Sequence, residues 1–197
     1  MRITGRKQKK EIAAANAQGL KLLAERRHQE AYEFLTQAVR QFPDEPELRM
    51  HYASSLLAVR PESAVPEIVT AVELGPDEPI RLTRAAGILF RMGQVETARS
   101  YAIRAKELAP PDFLFMPYLL NLDGHFAALE GKDAMAEEGF RLAVEQEPDG
   151  ETFAVDLAKF LNERNRQAEA LEVINEALPR TKRPEPLELL RSEIVES

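Results

Sequence analysis

Three histidines, His28, His51 and His125, are the chain's only imidazoles, and no two of them stand four residues apart or in a zinc-ligand spacing. The 197 residues include no cysteine, which excludes disulfides, thiol nucleophiles and thiolate-bound metals. Gly124 and Gly131 followed by Lys132 superficially resemble a loop whose backbone N–H groups cradle phosphate. Six residues separate these glycines where such a loop has four, and neither Ser nor Thr follows the lysine. The carboxylate pair Glu137–Glu138 falls on the charged face of a helical pattern, where solvation is the simpler account. A nucleophile elbow and a dinucleotide-type glycine cluster are both missing. No catalytic residue, metal ligand or cofactor is therefore expected, and the chemistry left to the chain is recognition.

The elements that would position recognising side chains announce themselves by repetition. Ala31, Ala64, Ala98, Ala136 and Ala170 are separated by 33, 34, 38 and 34 residues, and Ala38, Ala71, Ala105, Ala143 and Ala177 by the same four intervals. Gly19, Ala53, Ala86, Gly124 and Ala158 form a third series of small residues, and Pro43, Pro76, Pro110 and Pro148 a fourth. Within a unit, Leu20, Leu23 and Ala24 and then Ala31, Phe34, Leu35, Ala38 and Val39 recur at spacings of three and four, which places them along one side of each of two helices. Glu25 to Gln29 is the turn between them; Gly93 and Gly131 stand at equivalent turns, where a positive φ ends a helix. The prolines stop the second helices. The small residues are expected to let the two helices of a pair approach, with Gly19 or Ala53 opposite Ala31 or Ala64. Leu22, Leu56, Leu89 and Leu161, with Leu35, Ile68, Phe140 and Ile174, would fill a seam that a single hairpin cannot bury.

On these residues the chain resembles the tetratricopeptide repeat (TPR) family, a 34-residue helix-turn-helix with small residues, a large apolar residue and a terminal proline. Gln29 to Val39 followed by Pro43 carries the likeness best, and Gln167 to Leu178 nearly as well; the whole spans residues 12 to 182. The family's aromatic near the start of the first helix is replaced by Ala15, Arg49, Leu82, Leu120 and Ala154. The resemblance implies an all-α fold: a right-handed superhelical solenoid of five TPR-like repeats, about 12–45, 46–78, 79–112, 117–150 and 151–183. A capping helix and tail over 184–197 would close it. The interval from Ala53 to Ala64 is one residue shorter than in the other units, which puts a deletion near Arg60-Pro61-Glu62. Four extra residues belong to an apolar insertion at 111–116.

Residues 1–10 carry Arg2, Arg6, Lys7, Lys9 and Lys10 and no acid, and read as a flexible basic arm. The chain as a whole has a formal net charge of -7 and a pI near 5.2, which argues against general nucleic-acid binding. It has no apolar run long enough to span a membrane and no secretory-type leader, so a cytoplasmic location is expected.

In the TPR resemblance the concave wall is lined by the first helix of each unit. Residues three and four apart share a face, giving rows Met50, Ser54, Leu57; Thr83, Gly87, Phe90; Asn121, His125, Ala128; and Val155, Lys159, Asn162. His51, Ile80, Arg84, Arg91, Tyr118 and Asp156 flank them. Aromatics, Arg and Met suit a peptide or helix of a partner protein, with several apolar members, Leu57 and Phe90 especially, equally able to pack between units. Co-chaperones of this fold hold acidic C-terminal tails with a lysine, two asparagines, a second lysine and an arginine; the matching places here are Asn16, Leu20, His51, Ile80 and Arg84, and only the arginine survives. The leading expectation is an adaptor, scaffold or assembly factor holding a protein segment in this groove. A second is a self-associating structural protein, a homo-oligomer, using Phe113, Leu114, Phe115 and Met116. A third is a non-catalytic regulatory part of a larger enzyme system.

Overall fold

The computed structural model describes the backbone of residues 2–196 and the side chains of residues 5–196. Eleven α-helices and one short 3-10 turn make up the secondary structure of the described residues, with no strand. The chain divides into two compact units, Met1–Leu108 and Ala109–Ser197.

The first unit holds three helix pairs: α1 (Arg2–Ala24) with α2 (His28–Gln41), α3 (Pro46–Val59) with α4 (Ala64–Glu73), and α5 (Pro79–Arg91) with α6 (Val95–Leu108). The second holds two pairs and one further helix: α7 (Met116–Leu129) with α8 (Asp133–Gln146), α9 (Glu151–Glu163) with α10 (Gln167–Ala177), then α11 (Glu185–Glu196). Residues 2–10, expected as a loose arm, continue α1 as helix, and every residue from Gly5 to Lys10 is exposed.

Four of the five hairpin turns share one geometry. Arg26, Gly93, Gly131 and Asn165 adopt φ of 56°, 75°, 68° and 60°. The following N–H donates across the turn in each: Arg27 to the Leu22 carbonyl, Gln94 to Leu89, Lys132 to Ala127 and Arg166 to Leu161, all at 2.9–3.0 Å. This bond closes the last helical carbonyls. Asparagine tolerates the left-handed region by local hydrogen bonding, whereas at Arg26 the conformation is imposed by the repeat. The second pair differs, as its missing residue implies: Arg60 ends α3, and Pro61–Ser63 forms a 3-10 turn leading directly into α4.

The alanine series lies at the centre of each pair. Ala31, Ala64, Ala98, Ala136 and Ala170 are fully buried, and Leu22, Leu56, Leu89, Leu161, Leu35, Ile68, Phe140 and Ile174 are buried around them. Where the small residue is glycine, it also faces a large side chain. A Cβ on Gly19 would lie 2.6 Å from Leu35 Cδ2 and one on Gly124 2.7 Å from the Phe140 ring, so each glycine makes room for the large side chain one turn beyond the alanine. In the second unit α11 closes the stack: Leu187, Leu190 and Ile194 join the core of Phe140, Leu157, Phe160 and Ile174, while Leu189 and Val195 face outwards.

The insertion after α6 folds as two consecutive turns. The Phe113 N–H donates to the Pro110 carbonyl and the Met116 N–H to the Phe113 carbonyl. Phe113 turns inward, Leu114 is 77% exposed, Phe115 is exposed and Met116 half-buried.

Candidate functional site

First helices carry polar residues at positions a simple stack would fill with hydrocarbon. In the first unit α3 supplies Glu47, His51 and Ser54, and α5 supplies Arg81, Thr83, Arg84, Gly87, Phe90 and Arg91. Glu47 bridges both arginines: Arg81 Nη1 donates to its Oε1 at 3.3 Å and Arg84 Nη1 to its Oε2 at 3.0 Å. Arg81 is 3% exposed and also donates to the Pro76 carbonyl and the Glu78 carboxylate. Its charge is thus shared among oxygens supplied by the segment leading into α5 and by α3, which is what a buried guanidinium requires.

His51 is buried beside this cluster, and its Nδ1 has no hydrogen-bond partner in the protein. Burial, helped by the neighbouring Arg84 charge and opposed by Glu47, pushes its pKa down to about 4, so the ring is neutral at pH 7. Ser54 and Thr83 spend their hydroxyls on their own helices, donating to the Met50 and Pro79 carbonyls. Met50 is fully buried and Gly87 buried, so these two pack between helices; Phe90 is half-buried and Arg91 exposed. Arg84, expected to offer positive charge to a partner, has Glu47 against it.

In the second unit α7 and α9 form a second polar group. Asn121 Nδ2 donates to Asp156 Oδ2 at 2.8 Å, and His125 Nε2 lies 3.0 Å from the same oxygen. The His125 ring stands edge-on to Phe140 with centroids 4.9 Å apart. Asn121 is 4% exposed, and its Oδ1 has no partner in the protein. Tyr118 is half-buried, and Lys159 stands exposed one turn along α9 from Asp156.

Among the described residues, four buried side-chain polar atoms lack a hydrogen-bond partner: Asn16 Oδ1, Arg49 Nε, His51 Nδ1 and Asn121 Oδ1. All four belong to first helices of pairs, α1, α3 and α7. Arg49 is turned to the second helix of its own pair, donating to Glu67 at 2.6 Å, and so serves the hairpin.

Sequence reasoning did not find Glu47 or Arg81. Their signal was available, since opposite charges one repeat length apart, 34 residues here, fall at equivalent places on neighbouring first helices. Asn121 and Asp156, an amide donor and a carboxylate 35 apart, are likewise about one repeat from each other. Other ion pairs lie elsewhere and belong to scaffold, such as Arg166 between Glu137 and Glu169, and Arg164 on Asp133. Among the described residues no group of three or more His, Cys, Asp and Glu is placed to hold a metal ion, and no helix is long and apolar enough to cross a membrane.

Helix pairs of this length, with an inward alanine in each second helix and left-handed turns between, define the fold of the TPR proteins, and solved structures bear this out. The chain is similar to PilF of Pseudomonas aeruginosa, with a TM-score of 0.75 and 17% identity over 95% of this chain and 84% of that one. It is similar to the TPR protein TTC0263 of Thermus thermophilus, with a TM-score of 0.76 and 22% identity over 94% of this chain and 100% of that one. Cut9, in its complex with Hcn1 in the APC/C hetero-tetramer, matches with a TM-score of 0.74 and 16% identity; the match covers 94% of this chain and 36% of that one. No protein-family model matches the chain, and no curated protein matches it in sequence. The fold is a TPR-type helical repeat.

Proposed function

We propose that the chain is a non-catalytic interaction module, an adaptor, scaffold or assembly factor, that holds a peptide or protein segment against the first helices: α3 and α5 in one unit, α7 and α9 in the other. The observation that carries this reading is the accessible polar and aromatic character of those helices: Arg91 and Lys159 are exposed, and Ser54, Phe90, Tyr118 and His125 are half-buried. Aromatic and Arg side chains are enriched among the residues that carry binding energy.

Phe90 and Arg91 lie at the end of α5, and Tyr118 and Lys159 on α7 and α9. Together they offer aromatic contact area and positive charge on an otherwise acidic chain. Cut9, described in a hetero-tetramer with Hcn1, is an instance of such a repeat working inside an assembly.

Affinity capture with the immobilised protein, followed by mass spectrometry, identifies the partner. Recovery is then compared with an Arg91→Glu, Lys159→Glu variant and a Phe90→Ala variant of unchanged helical circular dichroism. The expected result is loss of the captured protein with both. Full recovery with both would remove the first-helix faces from the account.

A further inference from the structure

The first helix is longer than its counterparts: α1 has 23 residues where α3, α5, α7 and α9 have 13 or 14. The surplus lies at its start, about two and a half turns. Along its described part, Gly5 to Lys10, every side chain is exposed, and Arg6, Lys7, Lys9 and Lys10 meet only one nearby acid, Glu11, at 3.9 Å from Lys7. A helical stretch this short does not hold on its own in water. Continuity with the packed part of α1 supports it, and it presents a dense row of cations on a chain that is otherwise strongly acidic.

The second unit contains a receptor of opposite character. An open pocket of about 850 Å³ lies where the 111–116 insertion meets the end of α8 and the start of α9. Phe113, Leu114, Phe115 and Phe153 give it apolar walls; Asp112, Glu147 and Asp149 line it as well, and no lysine or arginine does. Leu114 and Phe115 are exposed there, with the Phe115 ring 5.7 Å from that of Phe113. Hydrocarbon walls beside carboxylates match the two halves of a Lys or Arg side chain: the stem lies on the apolar surface and the head reaches the acid. An aromatic face adds attraction for the cation.

We propose that the basic opening turns of α1 of one copy dock into this pocket of a second copy. The contact is heterologous, joining two different surfaces of the same chain, so each added copy leaves one basic helix end and one acidic pocket available. Pairing two pockets face to face across a two-fold axis is disfavoured, because it would bring both sets of Asp112, Glu147 and Asp149 together. The inference does not depend on the first-helix faces proposed above.

Sedimentation velocity on the full chain tests it through three variants: Lys7→Glu, Lys9→Glu, Lys10→Glu at the helix end; Asp112→Lys, Glu147→Lys, Asp149→Lys at the pocket; and all six together. Five of the six positions are exposed and Glu147 is half-buried, and circular dichroism verifies folding. The native chain should associate with rising concentration and dissociate in high salt. Each triple variant alone should associate roughly tenfold or more weakly, a mixture of the two should assemble in alternation because each end then meets a pocket of opposite charge, and the sixfold variant should regain self-association. A native chain that stays monomeric at every concentration overturns the proposal. So does a helix-end variant that associates like the native chain, or a mixture that fails to assemble. Monomers whose pocket nonetheless binds hexalysine would show that the occupant is another basic protein and not a second copy.

Discussion

His51 is held between two opposing demands: its position on α3 is closed to water, while Glu47 one turn earlier favours its protonated form and Arg84 on α5 opposes it. Burial wins, and the pKa falls to about 4 against an ordinary value of 6.5. Between those values the unfolded chain binds a proton that the folded chain refuses. Stability present above pH 6.5 is therefore lost as the pH falls towards and through 4, by up to about 3 kcal/mol at the lower end. Carboxylates whose pKa is lowered by guanidinium hydrogen bonds, among them Asp77, Asp133 and Glu137, add their own loss only below their ordinary range. Urea unfolding at pH 7 and pH 5 separates the two effects. The native chain should lose stability over that interval and a His51→Gln variant should lose much less; equal losses would show that His51 is not the group titrating.

At the scale of the element, close approach of α7 and α8 rests on two glycines in contact. A Cβ on Gly139 would lie 2.8 Å from the Gly124 backbone nitrogen and 2.9 Å from the Leu120 carbonyl oxygen, and backbone cannot swing aside as a side chain can. Helix propensity alone favours Gly139→Ala by about 1 kcal/mol. Overpacking at a backbone contact costs about 1–3 kcal/mol. The crossing should therefore dominate, and Gly139→Ala should lower the unfolding midpoint by several degrees; a rise in midpoint would mean that the helices can separate without loss. The repeat pattern marks 124 as a small-residue position but not 139, because 139 is small only where this one pair crosses.

For the whole molecule, the deciding quantity is charge. A formal net charge of -7 remains after the cations of residues 1–10 are counted, and without those five the balance is -12. Duplex DNA should therefore not be retained at about 0.15 M salt, since phosphate contacts limited to one short helix end weaken steeply as salt rises. Gel retardation checks this, and a retained complex at that salt would make the basic turns a nucleic-acid contact in place of a protein one.

The amino-acid sequence by itself determined the number of helix pairs, their turns and the cap, because those follow from periodic burial and from residues such as Gly93, Gly131 and Pro76 that act on their own stretch of backbone. It also marked the shortened turn at Arg60-Pro61-Glu62, since a deletion shows as a change of interval. Only the tertiary structure decided which first-helix side chains are accessible and which are buried or already paired. Met50 and Gly87 share a sequence face with Ser54 and Phe90 yet are buried, and Arg84 has its charge met by Glu47. Spacing along a helix fixes the direction in which a side chain leaves, but burial and pairing depend on what the neighbouring helix puts in its way, and that neighbour lies a whole repeat distant in the chain.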